Sequence, residues 1–210
     1  MPDPKLPAET APVVALDIGN VCVHLQPEHC ARKLGFESLD ALSRAVPAVW
    51  TYARQIETGA LDDTLFFSQL TRMLPAPLSE AEIIDAWCTL VGNEIDGMAA
   101  LVDLMFHRGL TPVFFSDISV THFDYVRGML SFAERIPSAI LSYEVRARKP
   151  QEAMFVAMEQ KYCDGRKPAL YVDDKPGNIE GALRRGWNAV RFDHPATLRR
   201  ELERLEARAS

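Results

Sequence analysis

The chain has 210 residues, 48% hydrophobic content and a formal charge of −6, which suits one generous domain or a core domain carrying a smaller insertion. The acidic balance argues against nucleic acid as a partner, because neutralising a phosphate backbone needs surplus Lys and Arg; a small anion met by a local cluster of cations stays open. No apolar run approaches the ~18 residues that a membrane-spanning helix requires.

Residues 1–12 carry Asp3, Pro4, Glu9 and Pro12 with no apolar stretch, so a loose tail is expected there rather than a signal peptide. Residues 13–16 (Val-Val-Ala-Leu) are short and continuously apolar, and Asp17-Ile18-Gly19-Asn20 ends them. That is the form of a parallel strand buried on both faces. Residues 25–97 show helical patterns only: Leu61, Leu65, Leu70 and Met73, then Ile83, Ile84, Trp87, Leu90 and Val91. Ser79 and Glu82 have capping-box spacing at the start of the second of these helices. Leu101, Val102, Leu104 and Met105 predict an amphipathic helix stopped at Arg108-Gly109.

The strand form returns at residues 112–115 before Ser116, and at 169–172 before Asp173. Weaker copies stand at 139–141 and 188–192. Pro150 followed by Gln151-Glu152-Ala153 reads as a helix with proline in its first turn, and residues 195–207 as a charged outer helix. Strands alternating with helices predict an α/β fold: a Rossmann-like parallel sheet with helices on both faces. Residues 25–97 form a small all-α insertion in it, so the core is expected from 13–24 and 98–210. Cys22, Cys30, Cys88 and Cys163 form no CxxC and sit in apolar contexts, which predicts buried structural thiols in a reducing cytoplasm.

Asp173 and Asp174 are adjacent. Two unit charges about 4 Å apart repel by roughly 4 kcal/mol at an effective dielectric near 20, so a cation or proton is the natural resolution if both face one spot. One of them could instead cap the next helix while the other faces water. Asp17, Ser116, Lys149 and the doublet each follow a strand or open a helix, and such positions gather at the carboxyl ends of a parallel sheet, where ligands bind. Taken singly, Asp17 or Ser116 could be a helix N-cap and Lys149 a surface residue before a proline.

In order, Asp17-Ile18-Gly19-Asn20-Val21, Phe114-Phe115-Ser116, Arg148-Lys149-Pro150 and Val172-Asp173-Asp174 with Asn178-Ile179-Glu180-Gly181-Ala182 resemble the haloacid dehalogenase-like (HAD) hydrolase superfamily. The branch resembled has a helical cap inserted after the first strand. The resemblance implies a magnesium-dependent phosphatase in which Asp17 attacks phosphorus and forms an aspartyl-phosphate. It implies Mg2+ held by Asp17, the carbonyl of Gly19 and Asp174, with Asp173 binding directly or through water. Lys149 would oppose charge on the transferring group and on Asp17, and Ser116 would donate to a phosphoryl oxygen. Asn178 would orient Lys149 or open the next helix. The partner implied is a small phosphorylated metabolite, with neither nucleic acid nor membrane.

Most phosphatases of this superfamily place a second aspartate two residues after the nucleophile, as general acid and base. Here that position is Gly19, and the missing help is typically worth 10²–10⁴-fold. A subgroup with Asp-x-Gly-Asn-Val, resembling α-glucose-1-phosphate phosphatases, shares the departure; the proton must then come from water, a cap residue or the substrate. Asp117, where the family often has Asn, could replace that acid or repel phosphate. Arg54 in the cap could contact substrate, and His24, near the hinge, could supply a proton. Two other readings compete: a haloacid dehalogenase, against which the Asp173-Asp174 pair argues, and a binding module that keeps the fold without the chemistry.

Overall fold

A computed structural model describes residues 11–75 and 77–209, with side chains to Leu205. The tail expected at 1–12 therefore lies outside the described residues except for Ala11 and Pro12. Strand β1 (Val13–Leu16) pairs in parallel with β4 (Thr111–Ser116) on one side and β6 (Leu170–Asp173) on the other. With β5 (Ala139–Leu141) beyond β4 and β7 (Ala189–Arg191) beyond β6, the five-stranded order is β5-β4-β1-β6-β7.

The alternation of strand residues sorts the core into two layers. Val14, Leu16, Phe114, Leu170 and Val172 pack with helices α6 (Met98–His107), α7 (Val120–Met129) and α11 (Pro195–Ala209). Val13, Ala15, Val113, Phe115 and Tyr171 face α9 (Glu152–Tyr162), which follows the short α8 (Ser142–Val145), and α10 (Pro176–Arg184). Burial on both faces is why these strands read as unbroken apolar runs. After β1 the chain builds outward through β4, whereas β6 leads to β7 on the opposite side. The carboxyl ends of β1 and β6 thus flank a topological switch point, the usual ligand crevice of an open parallel sheet.

Helices α1 (Pro27–Lys33), α2 (Leu39–Ala45), α3 (Val49–Glu57), α4 (Asp63–Met73) and α5 (Glu80–Cys88) fill the insertion. They share a separate apolar cluster that includes Leu42, Ile56, Phe66, Leu70, Ile83 and Trp87. The Ser79–Glu82 capping box is present in full.

Three expectations need correction. The insertion is not purely helical: β2 (Val23–Leu25) and β3 (Val91–Glu94) form an antiparallel pair at its base. Strands of three and four residues, paired across 65 or more intervening positions, leave no local period to read. Pro150 is not in a first helical turn, because it follows a cis Lys149–Pro150 bond and α9 begins only at Glu152. Pro176 takes that role, at the start of α10. The last strand is shorter than expected, spanning 189–191.

Candidate active site

Asp17 follows β1, and its backbone N–H donates to Val172 of β6 at 3.0 Å, which ties the two strand tips together. The residue is 4% exposed. One carboxylate oxygen, Oδ1, accepts from Ile18 N–H at 2.8 Å and Ser116 Oγ at 2.8 Å, and lies 2.9 Å from Lys149 Nζ. The other oxygen stands outside these bonds. Burial raises the Asp17 carboxyl to about 7, with the Lys149 ammonium opposing that rise and Asp173 adding to it.

Lys149 is buried, and its ammonium has three acceptors: Asp17 Oδ1 at 2.9 Å, Asp173 Oδ2 at 2.7 Å and the Phe115 carbonyl at 2.7 Å. It also sits over the Phe115 and Tyr171 rings, 5.3 and 5.7 Å from their centroids. Burial alone would lower its pKa, but the carboxylates of Asp17 and Asp173 outweigh it and push the value up. The lysine is therefore a fixed positive charge.

The two members of the acidic doublet are held differently. Asp173 is fully buried and both its oxygens are taken. Oδ2 accepts from Lys149, Tyr171 Oη and Asn178 Nδ2, and Oδ1 from Lys175 N–H at 2.8 Å and Asn178 Nδ2 at 3.1 Å. Burial raises its pKa, but Lys149 and these hydrogen bonds bring it below the ordinary value. Asp174 instead accepts from Asn20 Nδ2 at 3.0 Å on Oδ2, while its Oδ1 is buried with no hydrogen bond. Oxygens of Asp17, Asp173 and Asp174 lie within 4.8 Å of one another. Asp17 and Asp173 share the buried Lys149 ammonium, whereas Asp174 keeps an orphaned oxygen beside them, which is costly in such a place. That donor set fits a hard divalent cation.

Asn178 reaches Lys149 only through Asp173. Asp117 is occupied: Oδ1 accepts from Lys149 N–H at 2.9 Å and Oδ2 lies 3.5 Å from Arg148 Nε. It anchors the loop that presents the lysine. Gly19 lies in a turn closed by Val23 N–H to the Ile18 carbonyl, and Asn20 there adopts a left-handed φ of 54°, a region asparagine tolerates better than most residues. Asn20 Oδ1 also accepts from Leu25 N–H of β2.

Asp17, Gly19 and Ser116 line a cavity of about 100 Å³ together with Leu25, Glu57 and His122. A second cavity of about 250 Å³ lies under the helical insertion and is bounded by Trp50, Arg54, Glu57, Trp87, His122 and Arg148. His24 lines neither of these two and is exposed on β2. Glu57, His122 and Tyr171 were not singled out from sequence. Tyr171 lies within an apolar strand run, and only the pairing of helices with the sheet brings Glu57 and His122 to the site. The four cysteines are free and buried, and burial raises each thiol's pKa, which leaves them poor nucleophiles.

No protein-family model and no curated protein matches the sequence. Solved structures do match. A HAD-family enzyme from Bacteroides thetaiotaomicron, crystallised with magnesium and inorganic phosphate, superposes with a TM-score of 0.73 at 18% identity, covering 87% of this chain and 94% of its own. A HAD phosphatase from Thermococcus onnurineus gives 0.59 at 16% identity, covering 87% and 86%. The L-2-haloacid dehalogenase of Xanthobacter autotrophicus gives 0.57 at 16% identity, covering 86% and 76%. The parallel sheet, the inserted helices and these superpositions together establish that the chain has the fold of HAD-family enzymes.

Proposed function

We propose that the chain is a HAD-family, magnesium-dependent phosphatase that hydrolyses a small phosphorylated metabolite through an aspartyl-phosphate on Asp17. One observation carries the reading: oxygens of Asp17, Asp173 and Asp174 converge within 4.8 Å of one another, and Asp174 Oδ1 has no protein partner. Asp17, Asp174 and the Gly19 carbonyl would hold Mg2+, with Asp173 spent on Lys149 and contacting the ion at most through water. The ion would supply Lewis-acid screening between carboxylate and phosphate.

In this scheme Ile18 N–H, Ser116 and Lys149 grip Asp17 Oδ1 and leave the other oxygen to attack phosphorus. Ser116 turns its hydroxyl to a phosphoryl oxygen on binding. Lys149 holds its charge where negative charge develops, without reorganising at the moment of reaction. Helices α1–α5 act as a cap, residues 25–97, over a core of 13–24 and 98–210. The cavity beneath the cap selects the substrate. The Asp17-Ile18-Gly19-Asn20-Val21 pattern favours a sugar phosphate. A dehalogenase is disfavoured because an anionic haloacid gains nothing from the Asp173–Asp174 pair.

The test is turnover of p-nitrophenyl phosphate and a panel of sugar phosphates, with and without magnesium, by wild type and Asp17→Asn. Magnesium-dependent turnover lost in the variant is expected. Equal inactivity of both proteins would favour a binding module instead.

A further inference from the structure

Gly19 has no side chain to protonate a leaving group, so a phosphatase built on this site needs that proton from elsewhere. We propose that Glu57, at the end of cap helix α3, is the general acid of the reaction. The proposal rests on the phosphatase reading above and adds a catalytic residue to it.

Asp17 opens onto the cavity of about 100 Å³. Besides Asp17, its titratable lining comprises Glu57, Asp117, His122, Arg148 and Lys175. Asp117 is bound by the Lys149 N–H, and a His122 ring nitrogen is engaged by the Trp87 carbonyl. Arg148 is paired with both Glu57 and Asp117. Glu57 differs from all of these. Its Oε2 is buried without a hydrogen bond, with Arg148 Nη2 at 3.1 Å as its charge partner. It borders both the nucleophile's cavity and the larger one under the cap, which is where a leaving group would lie as phosphate meets Asp17.

Glu57 is also fixed to the core. Its carbonyl accepts from Ser142 Oγ, and that serine hydroxyl in turn accepts from Ile118 N–H at 2.9 Å. Ile118 lies two residues beyond Ser116, so a single hydroxyl joins the proposed acid to the phosphate-binding strand tip. Gly59, two residues on, packs against the Tyr143 backbone so closely that a Cβ would lie 2.5 Å from the Tyr143 carbonyl. The electrostatic surroundings suit a proton donor: burial raises the Glu57 pKa, Asp117 adds to the rise, and Arg148, Lys175 and Arg54 oppose it.

The steps balance. Asp17 forms a bond to phosphorus as the ester P–O bond breaks, and the departing alkoxide takes the Glu57 proton and leaves as an alcohol. Water then attacks phosphorus, the Glu57 carboxylate accepts its proton, and the Asp17–phosphorus bond breaks to release inorganic phosphate. Both residues return to their starting states.

The experiment compares wild type, Glu57→Gln and Glu57→Asp in the presence of magnesium, after urea denaturation confirms that each is folded. Two esters are used: p-nitrophenyl phosphate, whose leaving group departs as a stable anion, and glycerol phosphate, whose leaving group needs a proton. Glu57→Gln is expected to lower kcat/KM for glycerol phosphate by ~10²-fold or more, and that for the aryl ester by less than about 10-fold. It should also remove the alkaline limb of the glycerol phosphate pH profile, while Glu57→Asp retains that limb. A burst of p-nitrophenol is expected from the Gln variant, because its second step lacks a base. Equal losses on both esters, or a change confined to KM, would overturn the proposal and leave Glu57 a binding residue. No turnover of either ester by wild type, matching Asp17→Asn, would overturn the phosphatase reading itself and this proposal with it.

Discussion

Replacing Gly19 by aspartate puts a carboxyl where most phosphatases of this fold keep their general acid, and the structure gives the cost. Gly19 is not among the residues with positive φ, so its backbone accepts a side chain. The obstacle is Leu25 of β2, whose Cδ1 lies 3.0 Å from an added Cβ, with Cγ and Cδ2 at 3.4 Å. Crowding of that degree costs roughly 1–3 kcal/mol unless the neighbour yields. Leu25→Ala clears the space. A double-mutant cycle isolates the clash, because the new negative charge beside Asp17 costs much the same with or without Leu25. Urea denaturation of wild type, Gly19→Asp, Leu25→Ala and the double variant should therefore reveal a coupling of about 1–3 kcal/mol favouring the pair. Stability changes that add to within ~0.5 kcal/mol would refute the steric argument. In a Glu57→Gln background the double substitution should restore glycerol phosphate turnover, and Gly19→Asp alone should not.

Lys149→Met leaves the buried carboxylates of Asp17 and Asp173 without their cation, so a stability loss of about 3–5 kcal/mol at neutral pH is expected in chemical denaturation; a loss under about 1 kcal/mol would mean that water already reaches both carboxylates. Asp174→Asn should remove most of the magnesium-induced rise in Tm, which for wild type at 100 times Kd corresponds to about 2.7 kcal/mol. An unchanged magnesium response in that variant would contradict the assigned ligand. Burial holds the His122 pKa below the ordinary histidine value of about 6.5. As pH falls through ~6.5 the unfolded chain gains a proton that the folded ring refuses, so this contribution to stability is present above that pH and lost below it. Stability measured from pH 8 to 5 should fall more steeply for wild type than for His122→Gln, and parallel curves would exclude the residue as the cause.

The sheet was legible because strands buried on both faces must be apolar throughout, and residues 13–16, 112–115 and 169–172 are. Asp17, Ser116, Lys149 and the acidic doublet were legible because a parallel sheet gathers whatever follows its strands at one edge. The β2–β3 pair was not, since each strand is too short to show a period and its partner lies across the whole insertion. Nor was the cis bond before Pro150, because the sequence alone does not show which isomer an X-Pro bond adopts.

The sequence by itself determined which residues could carry chemistry and that they would meet, since strand order and composition act through local rules. Only the tertiary structure separated the roles of the two adjacent aspartates: Asp173 is saturated by Lys149, Tyr171, Lys175 and Asn178, whereas Asp174 keeps an oxygen without a partner. It alone also set Asp117 against the backbone of the lysine loop and brought Glu57 from the inserted helices to the cavity lined by Asp17. Hydrogen-bond saturation and the docking of one layer on another depend on contacts between residues far apart in the chain, which no local pattern encodes.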